Sequence, residues 1–439
     1  MLTRRSLFMM VMFLFLSFVL LACSTKDEGE RGEENLGESN QDTNESTGDE
    51  PMEPVTVSVL VHWDEDMFNE RFKEPIEEAF DHITLEHIQA ASNREELEEL
   101  FANGVFPDIV FEVSQEDLEF FDMAYDLDEL ADKHDYSFDH IKPVFLDSIR
   151  SKNDDGLLLG LPYEIIYHAL FYNKDIFDAF GQDYPSDDMT WQDAINLGEK
   201  LTGEMDGTQY RGLDLANANI PFNQFSINKT DPETGDVLTD QDEFSQYMKL
   251  IDEIVGIGGS DNEDFFTGGE RFVEEQTTAM IVEFIQGINW WQDSPGLNFD
   301  VAALPVWEGS ETSHRVDNLI PLSIASYSEV KDEAFEVITY FTETEYQIWA
   351  SRNGIGPVSE NAEVEEEFFQ DYESAEDKNV TAVFEHPHAT PPEVISNWDR
   401  FFDFRMSEYA DSDIDRNEWL RTIMEEAEIA VQEEKEKGQ

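Results

Sequence analysis

At 439 residues the chain is longer than one compact domain usually runs, so two or more lobes are the natural expectation. Its 27 basic residues stand against 100 acidic ones, a formal net charge of −73 spread along the whole length. Such a surface repels phosphate backbones and anionic headgroups, which argues against nucleic-acid and lipid-surface roles; its self-repulsion is relieved as the Debye length falls to about 3 Å near 1 M salt, so a salt-loving or alkali-tolerant source is expected.

The first residues read as a processing signal. Arg4 and Arg5 supply a positive start, and residues 7–22 form an almost unbroken apolar run. At about 16 residues it is short for a membrane span and suits a signal peptide over residues 1–22. The run ends in Leu20-Leu21-Ala22-Cys23, which resembles the bacterial lipobox, whose cysteine is acylated and becomes the new N-terminus. Thr3-Arg4-Arg5-Ser6-Leu7 has a partial twin-arginine look while the apolar core favours general export, and the route stays open. Cys23 is the single cysteine, so no disulfide braces the mature chain and packed cores must supply its stability. Residues 23–54 are nearly all Glu, Asp, Gly, Ser, Asn and Thr, with too little to bury to offset the entropy of ordering. They are expected to form a disordered, acidic tether.

The folded part opens at Val55-Thr56-Val57-Ser58-Val59-Leu60-Val61, an apolar, β-branched run that predicts a buried strand. A helix is predicted over 69–80 with Phe72, Ile76, Ala79 and Phe80 on one side, then a strand over 83–88, an Asn93-capped helix over 93–101 and a strand over 107–113. This rhythm predicts a parallel α/β sheet wrapped on both faces. Ligands of such sheets bind beyond the carboxyl ends of the strands, which nominates residues 62–67 and the segment from Glu112. Further on, strands are predicted over 157–173 and 278–284, and helices over 191–202, 244–255, 269–275, 330–341 and 414–434, with no internal repeat.

Leu161-Pro162-Tyr163 followed by Ala169-Leu170-Phe171-Tyr172-Asn173-Lys174-Asp175 resembles the extracellular solute-binding proteins of the family that contains maltose-binding protein. The Thr190-Trp191 helix start, Thr278-Ala279-Met280, Gly287-Ile288-Asn289-Trp290-Trp291, Ala303-Leu304-Pro305 and Asn353-Gly354-Ile355-Gly356-Pro357 keep the family order. The likeness spans essentially residues 55–439. It implies an α/β, two-lobed, periplasmic-binding-protein-like fold with a hinge and an interlobe ligand cleft. Placed by these motifs, 55–162 and 324–380 form lobe 1, and 163–323 and 381–439 form lobe 2.

A sugar offers an apolar ring face and a rim of hydroxyls, so its site needs aromatic platforms with carboxylate or amide partners. Trp63 and Asp64 follow the first strand, and Glu112 ends another. The resemblance adds Tyr163 and Tyr167 at the crossover, Trp290 and Trp291 at the Gly-Trp turn, with one of the two facing the cleft, Asn318 before the return crossover, and Trp398 ahead of the terminal helices. Each has a plainer reading as packing or exposed loop. Arg315 and Arg352 are cations whose place the sequence leaves open.

Nothing resembles a nucleophile elbow, a phosphate-cradling Gly loop or a zinc-binding helix, so no catalytic residue, cofactor or metal is assigned. Glu385-His386-Pro387-His388, the one His-rich spot, reads as a loop. The resemblance implies a monomer, lipid-anchored at the outer face of a cell membrane, with a Gram-positive source expected, that carries a carbohydrate to a permease driven by a separate ATPase. A binder of a peptide, polyol phosphate or metal chelate, and a secreted carbohydrate-active enzyme, are the alternatives.

Overall fold

The computed structural model describes residues 52–257, 266, 269–310, 312 and 314–437. The expected export signal, Cys23 and all but the last residues of the expected tether lie outside them. Residues from Met52 onward form one compact unit.

The first strands are β1 (Val55–Val61), β2 (Ile83–Gln89), β3 (Ile109–Phe111) and β4 (Leu161–Ile165). They are followed by β5 (His168–Asn173), a hairpin of β6 (Gly203–Met205) with β7 (Thr208–Tyr210), and β8 (Asp214–Leu215). The last are β9 (Met280–Phe284), β10 (Phe299–Ala302), β11 (His314–Arg315), β12 (Leu319–Ile324) and β13 (His388–Ala389). One sheet has the order β2-β1-β3-β12-β4, the other β10-β5-β9-β8. β1 runs parallel to β2, with Val55 opposite Ile83, and to β3. β12 enters antiparallel between β3 and β4. Alternation gives the first sheet a core on each face, with Val57, Val59, Val61, Ile109 and Phe111 on one side and Leu60 and Val110 on the other. The second lobe packs Phe222, Phe244, Tyr247 and Phe404 beside its own sheet.

The lobe boundaries need correction. β4 and β12 both belong to the first sheet, so the chain crosses between Ile165 and His168 and returns ahead of Leu319. The expected switch points, at 162 and 323, were placed by the motifs, and both fall inside strands of the first sheet. Pro162 lies on an edge strand opposite Pro321, which sits at a register shift, the two settings in which a sheet tolerates a residue without an N–H. At the crossover Ile165 donates its N–H to the Gly356 carbonyl at 3.1 Å. A Cβ on Gly356 would come within 1.8 Å of the Ile165 oxygen, so only glycine permits that approach.

The helix predicted over 69–80 begins earlier and is interrupted: Glu65–Phe68, then a π-turn over Asn69–Lys73, then Glu74–Ala79. Pro75 cannot bond back to the Arg71 carbonyl, and the Tyr346 hydroxyl donates to that oxygen instead, at 3.0 Å. Elsewhere local signals set the ends. Asn93 caps Arg94–Ala102, and Thr190 with Asp193 forms a capping box on Trp191–Leu201. The terminal helix runs Arg416–Lys437.

Candidate ligand cleft

The first-lobe wall is built on the carboxyl ends of β1 and β3. Trp63 follows β1 and is 9% exposed, wedged against Phe111 at 4.7 Å and Phe72 at 5.3 Å between ring centroids, with the Arg71 guanidinium 5.1 Å over its ring. Asp64 is exposed, and one of its carboxylate oxygens caps the next helix by accepting the Met67 N–H at 2.9 Å. Glu112, exposed just past β3, holds φ of 58°, a strained setting for a residue with a Cβ, and donates its N–H to the Pro321 carbonyl. Ser114 then caps Gln115–Phe120. A 200 Å³ pocket lies here, lined among others by Glu112, Gln115, Lys152 and Ser323.

Beneath this wall Arg71 stands 4.0 Å from Glu164, which is buried on β4. Burial pushes the Glu164 carboxyl up to about 7; Arg71 draws it down and the Glu112 charge pushes it further up.

The second-lobe wall holds a 690 Å³ cavity at the ends of β8 and β9. Asn217 and Asn219 come from the loop after β8, Glu283 and Phe284 from the end of β9, and Asp403, Arg405 and Glu408 from the C-terminal segment. Burial raises the Glu283 carboxyl, which accepts the Phe284 N–H at 2.8 Å. The Arg405 charge is committed to Glu426 at 2.5 Å and lies over Trp419. The wall thus presents amides and carboxylates, partners for hydroxyl groups, beside an aromatic ring.

The structure separates the expected contacts. Trp290 is 60% exposed and stands edge-on to Phe284, its ring 6.5 Å away. Trp291 is buried against Phe171, Phe272 and Phe299 and is core. Tyr163 is a correction: it has no exposed surface, packs on Phe72 and Phe341, and shares a 2.7 Å hydroxyl hydrogen bond with Tyr346. Tyr167 is another, fully buried at the crossover among Phe384, His388 and Phe368. Asn318 acts through its backbone, accepting the Ile166 N–H at 3.1 Å beside the crossover. Trp398 packs against Gly235, whose missing Cβ would meet its ring at 2.9 Å, with Lys435 5.5 Å over that ring, so the terminal helix holds it in place of the cleft. Arg352 is spent on Glu367 and Asp371. His388 packs on Phe145 in β13, and His386 bonds the Asp187 carbonyl.

Asn217, Asn219, Asp403 and Arg405 were not foreseen. β8 is two residues long, too short for any periodic signal, and the 403–408 segment lies in no motif. Glu283 and Phe284 were within reach, because the strand-end rule that nominated Trp63 applies equally to the strand predicted over 278–284.

Residues 68–348 match the family described as bacterial extracellular solute-binding protein. Among curated proteins the chain resembles the sn-glycerol-3-phosphate-binding periplasmic protein UgpB of Brucella abortus, 24% identical over 236 residues, 48% of this chain and 51% of that protein. The Rhizobium meliloti counterpart is 24% identical over 246 residues, 50% of this chain and 53% of that one. The chain thus spans about half the length of the curated relatives it matches. Among solved structures, a sugar transporter from Rhizobium etli in an open conformation superposes with a TM-score of 0.67 at 16% identity, covering 85% of this chain and 99% of that one. The sugar-binding protein MalE of Xanthomonas citri gives 0.66 at 16%, covering 87% and 98%. A Listeria monocytogenes ABC substrate-binding protein in complex with cycloalternan gives 0.63 at 18%, covering 86% and 98%. The family match takes in well over half of the chain, and with its two-lobed α/β fold this chain belongs to the bacterial extracellular solute-binding proteins.

Proposed function

We propose that this chain is the lipid-anchored substrate-binding component of an ABC importer, taking a carbohydrate, an oligosaccharide, into the cleft between its lobes. The observation that carries this is the second-lobe cavity: 690 Å³, within the roughly 300–1,000 Å³ of small-molecule sites, lined by Asn217, Asn219, Glu283, Phe284 and Asp403, with the exposed Trp290 ring 6.5 Å from that of Phe284 outside the lining. Aromatic faces suit the C–H face of a pyranose, and amides with carboxylates pair its hydroxyls. The solved neighbours bearing sugar-related descriptions agree with this reading. Acylation of Cys23 holds the binder at the outer face of a Gram-positive membrane, as a monomer, where the closed form meets a permease worked by a separate ATPase. The chain binds and releases; it performs no chemistry.

A polyol phosphate is the second reading, favoured by the curated glycerol-phosphate-binding relatives. Against it, the cavity sets Glu283, Asp403 and Glu408 around one cation, Arg405, that is already ion-paired. The test is a thermal-shift screen of the mature chain against oligosaccharides, monosaccharides, sn-glycerol 3-phosphate, peptides and metal chelates. A ligand at 1,000 times its Kd should add about 4 kcal/mol to stability. A rise with unhydrolysed oligosaccharides, lost in Trp290→Ala, is the expected result; a rise with sn-glycerol 3-phosphate alone overturns the choice of ligand.

A further inference from the structure

We propose that residues 394–401 form a strap across the mouth of the cleft, and that the ion pair between Arg400 and Glu116 is the latch by which it holds the lobes together. The strap is rooted in the second lobe. Asp399 accepts the backbone N–H groups of Lys229 at 2.9 Å and Thr230 at 2.8 Å and the Thr230 hydroxyl at 2.6 Å. Asn228 donates to the Val394 carbonyl at 2.8 Å and accepts the Ser396 N–H at 3.1 Å.

From that root two residues reach the first lobe. The Ile395 N–H donates to the Ser151 carbonyl at 2.6 Å, just past the helix Pro143–Arg150. Arg400 donates to Glu116 at 2.6 Å across 284 positions of sequence. Glu116 is held ready: Arg94 donates to it at 3.2 Å, while bonding Asp117 at 2.6 Å and lying 4.3 Å over Phe120. Ile395 and Arg400 also line a 360 Å³ cavity that shares Asn217, Asn219 and Asp403 with the main one. Ligand in the second-lobe cavity therefore lies behind the strap, and release requires Arg400 to part from Glu116.

The Ile395 bond joins two backbones and is indifferent to salt. The side chains of Arg400 and Glu116 are 43% and 47% exposed, so their pair is weak and easily screened, as a latch that must open in each cycle should be. This inference uses the two-lobed architecture and does not depend on the ligand being a sugar.

The test is ligand-free. Because Cys23 is the only native cysteine, spin labels on Glu98→Cys and Glu428→Cys, both at exposed positions on opposite lobes, in a Cys23→Ser background, report the interlobe distance by pulsed dipolar spectroscopy. At low salt Arg400→Gln and Glu116→Gln should each shift the closed-to-open ratio toward open by roughly two- to five-fold. The double variant should go no further than either single, and 1 M NaCl, with a Debye length of about 3 Å, should bring the wild type to their level. Circular dichroism checks that each variant is folded. Unchanged distances in the singles, effects that add in the double, or a wild type insensitive to salt would each overturn the latch. A failed sugar screen would leave it standing, and a failed latch would leave the ligand reading intact.

Discussion

The two walls of the cleft use their aromatic residues in opposite ways. On the first lobe Trp63 leaves a central strand and turns inward beneath Arg71, 9% exposed among Phe72, Phe111 and Tyr163. On the second lobe Trp290 ends the short helix Gly287–Trp290 and stays 60% exposed, because its neighbour Trp291 already fills the space over Phe171 and Phe299. A tryptophan at the right place in the chain is thus either left at the surface or used as a core filler, and the difference lies in whether another ring occupies the adjacent hole. The first wall is braced by aromatic packing. The second is open and polar, lined by amides and carboxylates.

Substituting the two tryptophans tests that contrast most sharply. Trp63→Ala should cost about 3–5 kcal/mol of unfolding free energy through transfer and cavity terms. Trp290→Ala should stay within about 0.5 kcal/mol of the wild type in the same urea titration while losing ligand-induced stabilisation. Equal losses would abolish the distinction between the walls.

Next in size is the buried carboxyl behind the first wall. Folding raises Glu164 from an ordinary 4.5 to about 7, so between those values the folded state holds a proton that the unfolded chain has released. Stability owed to this group therefore falls as pH rises through that window, by about 3 kcal/mol once both forms are ionised. Glu164→Gln should remove the loss: its stability relative to the wild type should climb from pH 5 to about pH 7.5 and level off. A difference that stays flat with pH would mean that Arg71 keeps the carboxylate ionised. The smallest effect is expected from Tyr163→Phe, about 1 kcal/mol for the lost hydroxyl pair with Tyr346, which still bonds the Arg71 carbonyl. Ligand-induced stabilisation should be unchanged, and its loss would return Tyr163 to the cleft.

Local chemistry made much of the architecture legible. A seven-residue β-branched run makes β1, Asn93 and Thr190 supply the side-chain acceptors that start helices, and the order of motifs placed the chain in a two-lobed class. Signals of this kind act between residues a few positions apart. The motifs left the crossovers a few residues off, because Pro162 lies within an edge strand and Pro321 at a register shift, and neither setting exists until the sheet assembles.

What the sequence by itself determined is therefore the order of the longer elements, the two-lobed class and the ends of the first strands, while the two-residue β8 and the loop after it left no signal. Only the tertiary structure decided which side chains at those ends face the cleft. Burial belongs to a surface made by distant segments: Phe72, Phe341 and Tyr346 close over Tyr163, and Gly235 with the terminal helix claims Trp398. The loop that carries Asn217 and Asn219 reaches the cavity only because the two-residue β8 pairs with β9.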